Sequence, residues 1–287
     1  MALRRLPWLW GLNMRNWMAA FSALRALRAL RTVAILGGVF GVSCAVAAGL
    51  NDTGMTTCAD AAGAIVSCTA ATAVQGQDAR YGRDAAAGTG ALTKVGGGAN
   101  GFDFTKISNG TASVPGVVLP SSAALGTGSN DWGCTYDNTT GLMWEVKTYS
   151  GLRGGGSIYT WYSTNAATNG GNVGMPYPGG NGACFLAGFG RCDTEKFTQD
   201  VNAIAMCGHS DWRMPTFREL TSLVRHGVNP TIDGGYFPNT EVNYFFWSGS
   251  PVANNSASAW SVNFSNGTPS GSSRYGYGQV RLVRIGQ

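Results

Sequence analysis

Ser210-Asp211-Trp212-Arg213-Met214-Pro215-Thr216-Phe217-Arg218-Glu219-Leu220 reads as an extended segment running into a helix. Thr216 and Glu219 stand at the spacing of a capping box, in which a hydroxyl and a carboxylate satisfy each other's backbone N–H groups. Pro215 precedes the cap, Leu220, Leu223 and Val224 share one face of the helix that follows, and Gly227 is its expected stop. Upstream, alternation puts Asp211 and Arg213 on one face of the chain and Trp212 on the other, toward a core. Asp211 and Arg213 therefore read as a structural ion pair beside the helix start rather than as a catalytic pair.

Working outward, residues 141–147 read as a strand. Residues 194–206 read as a helix capped by Asp193 or Thr194, with Phe197, Val201 and Ile204 on its inner face. Residues 259–265 alternate, with Trp260, Val262 and Phe264 inward and Ser261, Asn263 and Ser265 outward; residues 279–285 alternate as well and form the terminal strand. Strand, two helices and a set of strands make an α+β arrangement. Trp132, Trp144, Trp161, Trp212, Trp247 and Trp260 supply a large aromatic core. Residues 163–193 form a Gly- and Asn-rich insertion before the first of these helices.

Five motifs recur in a fixed order: Asp137-Asn138-Thr139-Thr140-Gly141-Leu142-Met143-Trp144, the block quoted above, Phe237-Pro238-Asn239-Thr240, Trp247-Ser248-Gly249-Ser250, and Val280-Arg281-Leu282-Val283-Arg284. Together they resemble the Lcl C-terminal domain family over residues 131–287. The resemblance implies a C-type-lectin-like domain, with two helices, a twisted and mostly antiparallel sheet and long loops. It also implies a bacterial surface or secreted setting and a binding role. It brings in sulfated polysaccharides as a ligand class and a homo-oligomer, the trimer, as an assembly. The sequence itself shows no collagen-like repeat or coiled coil, and Lys and Arg are sparse in its loops. Calcium-dependent C-type lectins carry E-P-N or Q-P-D and a later W-N-D. Here Phe237-Pro238-Asn239-Thr240 lacks the acidic residue before proline, and Trp260-Ser261-Val262 stands where W-N-D would fall. No calcium-dependent sugar site, other metal or cofactor is expected.

The formal net charge of +5 misleads, because Arg4, Arg5, Arg15, Arg25, Arg28 and Arg31 precede residue 48 and no acidic residue does. The remaining 14 basic residues face 15 Asp and Glu, a net charge of −1. The basic charge belongs to a targeting segment, so no nucleic-acid partner is expected and the membrane is met only through that segment. Residues 1–47 read as a signal peptide: arginines, an apolar run from Val33 to Val42, and Ala45-Val46-Ala47-Ala48 as the cleavage site. An uncleaved anchor is the alternative, and Met14 and Met18 are alternative starts. Lipidation at Cys44 is disfavoured, because Gly41 stands where a lipobox wants Leu. The expected location is the periplasm, the outer cell surface or the medium.

Residues 48–130 are rich in Gly, Ala, Ser and Thr and short of large apolar residues, so a loop-dominated N-terminal region with a small disulfide loop is expected ahead of the 131–287 domain. Gly76-Gln77-Asp78-Ala79-Arg80-Tyr81-Gly82-Arg83-Asp84 is either a solvated loop or a segment docked on that domain. Once Cys44 is removed, six cysteines remain, an even count that reads as a disulfide framework in an exported chain. Sequence proximity and the fold implied by the resemblance suggest Cys58–Cys68, Cys184–Cys192 and Cys134–Cys207.

The expected binding face is Asn254, Asn255, Ser256, Asn266, Ser272, Ser273, Arg274, Tyr275 and Tyr277, because Asn, Ser, Gly and Tyr together have the composition of a paratope. C-type-lectin-like relatives also bind through this late region; the alternative is an ordinary hairpin with turn residues. These features point to an exported adhesin-type protein that recognises a surface glycan or protein, and not to an enzyme. A formylglycine-generating-enzyme-like oxidoreductase, which needs redox-active cysteines, and a structural envelope component are the rival readings. His209 and His226, the only histidines, have no partners at catalytic or metal-ligand spacing. Trp212→Ala is expected to cost about 3–5 kcal/mol and to impair folding; normal thermal unfolding with binding alone lost would contradict a core position for Trp212.

Overall fold

The computed structural model describes residues 49–178, Cys184 and residues 190–286; the expected signal peptide, Cys44, Met14 and Met18 lie outside the described residues. Among the described residues, three antiparallel sheets and three short helices make an α+β fold. The first sheet is a hairpin of β1 (Cys58–Ala59) and β2 (Ile65–Val66), followed by α1 (Gly82–Gly88). The central sheet contains β3 (Phe104–Ser108), β4 (Val118–Leu119), β5 (Trp132–Asp137), β6 (Leu142–Glu145) and the C-terminal β10 (Val283–Ile285), in the order β10-β6-β5-β3-β4. Between β6 and β10 come α2 (Thr194–Ala203), α3 (Phe217–Thr221) and a third sheet of β7 (Phe246–Val252), β8 (Asn255–Asn263) and β9 (Thr268–Ser273).

The central sheet is covered on both faces, so alternation sorts side chains into two cores rather than into core and solvent. Met143 and Leu282 enter one core with Trp161, Phe197, Val201, Trp212 and Trp247. Their neighbours Trp144 and Val283 enter the other with Phe104, Leu220, Phe237, Phe246 and Phe264. Helix α2 covers the first core and α3 the second.

Several expectations change for this reason. Ser261 is not outward: it is fully buried, and its hydroxyl pairs with Ser272 and the Ser270 carbonyl. Trp260 sits at the rim, half-buried against Phe217 at 4.9 Å. Residues 279–284 are all buried, and only Val283–Ile285 pair as a regular strand. Helix α2 stops at Ala203 because Ala205 turns left-handed (φ 47°), which leaves Ile204 exposed instead of on the inner face. Helix α3 ends at Thr221, well before Gly227, where Asn51 from the N-terminal segment hydrogen-bonds the Ser222 carbonyl.

Strands β3 and β4 precede residue 131 and are integral to the central sheet, so the sheet crosses the boundary expected at 130/131. The 76–84 segment is not a solvated loop, and its hydrogen bonds run to residues 52–101 of the N-terminal region rather than to the 131–287 domain. Buried Asp84 accepts the Gly54 and Gly101 N–H groups at 2.7 Å each, and Arg83 donates to the Gly101 carbonyl. Three disulfides are present: Cys58–Cys68, Cys134–Cys207 and Cys184–Cys192. Cys134–Cys207 ties β5 to the turn after α2 across 73 residues; on chain entropy a loop of that length is worth about 4 kcal/mol.

Asp211 and Arg213 do not pair with each other. Asp211 takes Arg284 at 2.6 Å, while Arg213 takes both carboxylate oxygens of Glu219, so each ion pair joins separate elements. Trp212 is buried between them, with its indole N–H on the Met206 carbonyl.

A second ionic group lies inside the protein. Glu145 is fully buried, 2.7 Å from the Lys147 ammonium, which rests 4.5 Å from the centre of the Phe197 ring. Desolvation lowers Lys147 from its ordinary 10.5 to about 8, although Glu145 opposes the shift. From about pH 8 to about pH 10 the unfolded chain binds more protons than the folded one, so stability rises with pH; below pH 8 both states are charged and burial carries its full cost. The melting temperature is expected to climb between pH 7.5 and 9.5, and to climb less in Lys147→Met. Equal slopes in the two proteins would rule out a shifted Lys147.

Candidate ligand groove

Three segments meet around a groove of about 680 Å³. The first is the chain at 161–168. Its backbone is clipped to the start of α2: Tyr162 N–H donates to the Thr194 hydroxyl, which donates back to the Tyr162 carbonyl. The Thr164 N–H and hydroxyl both donate to Glu195. Gly174 closes this loop at φ +79°, where a Cβ would fall 2.1 Å from the Trp161 carbonyl oxygen.

The second segment is α2 itself. Asp193 caps it by accepting the Lys196 N–H at 2.9 Å, and Thr194, Glu195, Thr198 and Gln199 line the groove. The third is the 213–216 segment together with Gly249, Ser250 and Pro251 of β7. Gly249 N–H donates to the Pro215 carbonyl at 2.7 Å, and Phe217 N–H donates to the Ser250 hydroxyl at 2.9 Å. Thr216 and Glu219 complete the capping box in both directions. Trp161, almost fully buried, contributes to the lining; its indole N–H is fixed on the Ser248 carbonyl at 2.9 Å.

The groove holds one carboxylate and one guanidinium, and both are engaged. Burial acts to raise Glu195, but hydrogen bonds from Thr164 and Arg191 outweigh it and hold the carboxyl below its usual range. Arg213 is held above its ordinary value chiefly by its bidentate bonds to Glu219. The remaining polar lining is uncharged: Ser163, Asn165, Thr168, Thr198, Gln199, Thr216 and Ser250.

The structure separates the residues expected to form one binding face. Arg274 is fully buried and cannot serve as a contact. Its guanidinium stacks 3.9 Å from the Trp161 ring centre and donates to the carbonyls of Ser258, Asn169 and Asn172. Tyr277 packs edge-on against Tyr177 at 5.4 Å, and Ser272 is tied to Ser261. Asn254, Asn255 and Ser256 sit at the β7–β8 turn, with Ser273 and the exposed Tyr275 near the same end of the sheet. Asn266 sits at the β8–β9 turn, at the other end of β8, roughly 25 Å away for a strand of that length.

Reading the sequence for paratope-like composition missed the groove, since its lining comes from segments far apart in the sequence. The available signals were the D-W-R-M-P-T and W-S-x-S motifs, which supply one side of it, and the Gly- and Asn-rich insertion, which begins on the other.

His209 lines a different concavity of about 770 Å³ over β3 and β4, beside Lys106 and Tyr236. Among the described residues the one close acidic group is Asp52, Asp78 and Asp84, and all its oxygens except Asp78 Oδ1 accept hydrogen bonds, from the Thr53, Gly54, Asp84 and Gly101 N–H groups and the Thr53 hydroxyl.

These features define a disulfide-bridged α+β domain with a groove lined in part by the 211–216 and 247–250 motifs. The chain belongs to the Lcl C-terminal domain family, whose profile matches residues 133–284, more than half its length. No curated protein and no solved structure matches the chain. Among the described residues no helix is long and apolar enough to cross a membrane.

Arg274→Met leaves buried carbonyls unpaired and strips the cover from Trp161, so it is expected to cost about 3 kcal/mol or more. Tyr275→Ala is expected to stay within about 0.5 kcal/mol. Chemical denaturation of both variants checks this; an Arg274→Met protein as stable as wild type would overturn the structural role of Arg274.

Proposed function

We propose that this protein is an exported bacterial ligand-binding protein of adhesin type that holds a surface glycan in the groove framed by residues 161–168, α2, residues 213–216 and β7. The observation that carries the reading is the groove itself. It offers about 680 Å³ lined by hydroxyl and amide side chains together with Trp161, Tyr162, Met214 and Pro251. Sugars present alternating hydroxyls and apolar C–H patches, which such a lining matches.

The fold proposed for the domain is C-type-lectin-like. In its favour, the two helices lie between early and late strands, and the C-terminal β10 returns to pair with β6 in the central sheet. Three disulfides support export to an oxidising compartment. The same bridges favour binding over a thiol-dependent oxidoreductase, because all six cysteines among the described residues are paired. The sharing of β3 and β4 with the central sheet disfavours the 49–130 region as a separate assembly module.

The test is a glycan array probed with the full chain, exported to an oxidising compartment. Gln199 is exposed on α2 and lines the groove, so Gln199→Trp fills the groove without disturbing the core. Array signal is expected to fall at least about tenfold in Gln199→Trp and to persist in Asn266→Ala. Signal that survives Gln199→Trp but disappears in Tyr275→Ala would move the site onto the β7–β9 sheet.

A further inference from the structure

We infer that Tyr177 and Tyr277 form an oxidative coupling site, at which hydrogen peroxide and a peroxidase-type one-electron oxidant join the two rings as an intramolecular dityrosine. The pair lies outside the groove lining, so the site stands independently of any ligand bound there.

Coupling of this kind needs two tyrosine rings in contact and within reach of an oxidant. Tyr177 and Tyr277 pack with ring centres 5.4 Å apart and planes at 87°. Both are half-buried, so each remains reachable from solvent. Through its hydroxyl, Tyr177 holds the Tyr277 phenol above the ordinary tyrosine range. The hydroxyl ends of the two rings therefore meet, and with them the adjoining ring carbons, where phenoxyl radicals combine. Tyr81, Tyr149, Tyr244 and Tyr275 are more exposed, yet among the described residues none of them packs against a second tyrosine ring.

Backbone hydrogen bonds hold the two rings to one frame. The Tyr177 carbonyl accepts the Cys192 N–H at 2.9 Å, and the Met175 N–H donates to the Trp161 carbonyl at 3.1 Å. On the other side, Gly278 exchanges both backbone bonds with Tyr159, and the Trp161 N–H donates to the Arg274 carbonyl at 3.2 Å. Residues 159–161 thus run between the two tyrosine-bearing segments, and a bond between the rings ties those segments together across the start of the groove wall. Fixed backbones also make the coupling intramolecular, at an effective concentration far above that of any second molecule.

The step balances. Each phenol gives up one electron and one proton, and the two phenoxyl radicals form a carbon–carbon bond between Cε positions. Each ring then regains its phenol as the hydrogen on that carbon moves to the oxygen. The two electrons and two protons reduce one hydrogen peroxide to two waters.

The experiment treats the full chain, exported with its disulfides formed and held at about 1 μM, with a haem peroxidase and limiting hydrogen peroxide. Dityrosine fluorescence is read in the monomer band, and the cross-linked peptides are identified by mass spectrometry. The expected product is a peptide pair holding Tyr177 and Tyr277, lighter by two hydrogens than the sum of its parts. Monomer fluorescence is expected to fall at least about tenfold in Tyr177→Phe and in Tyr277→Phe, which keep the rings, and to change less than about twofold in Tyr275→Phe. Dityrosine confined to dimers, or monomer fluorescence that survives Tyr277→Phe, would overturn the site. So would a protein that forms no dityrosine under conditions that couple free tyrosine.

Discussion

Glu145 sets the constraint that organises this protein. A carboxylate with no solvent exposure is tolerated only where charge and hydrogen bonds compensate it. Here Lys147 supplies the charge at 2.7 Å, and the Leu282 N–H donates to the carboxylate at 3.0 Å. The backbone of Glu145 is committed too: its N–H donates to the Leu282 carbonyl, and its own carbonyl accepts from Arg281. Arg281 continues to the Thr240 hydroxyl and lies against the rings of Phe237 and Phe246. Through its carboxylate and its backbone Glu145 thus ties β6 to the C-terminal segment, and Arg281 carries the link on to the 237–240 turn. An apolar substitute of equal volume would be no weaker, but it would not specify that arrangement.

The same device recurs beside the groove. Arg274 is buried under Trp161 and gathers carbonyls from the insertion and from β8, so the 169–172 turn is held to the three-stranded sheet by one side chain. Trp161 is then fixed from two directions, by Arg274 and by its own bond to Ser248. The groove wall at 161–168 inherits its position from that pair and from the clip onto the start of α2. Rigid placement of this kind lowers the ordering cost of binding. It also explains why Arg and Lys are scarce on the surface: the fold consumes much of its basic complement internally.

Local chemistry was legible in the sequence, and partner choice was not. The Thr216–Glu219 capping box, the Asp193 cap and the core position of Trp212 follow from spacings of a few residues. Asp211 and Arg213 were also correctly read as structural, yet their partners are Arg284 and Glu219. Both answers satisfy the same charge rule, and only the folded chain brings Arg284 to Asp211. Arg274 misled for a related reason. Its neighbours Ser272, Ser273, Tyr275 and Tyr277 read as surface, and nothing nearby in sequence reveals that Asn169 and Asn172 would enclose it.

By itself, then, the sequence determined the α+β class, the family and the starts of the two helices after β6, because hydrophobic period, caps and motif order are properties of neighbouring residues. Tertiary structure decided that both faces of the central sheet are covered, that β3 and β4 join it from before residue 131, and that the groove lies among residues 161–168, 194–199, 213–216 and 249–251. Those outcomes depend on which distant segments pack together. Burial, which turns an arginine from a surface contact into an internal strut, is set by that packing and by no local pattern.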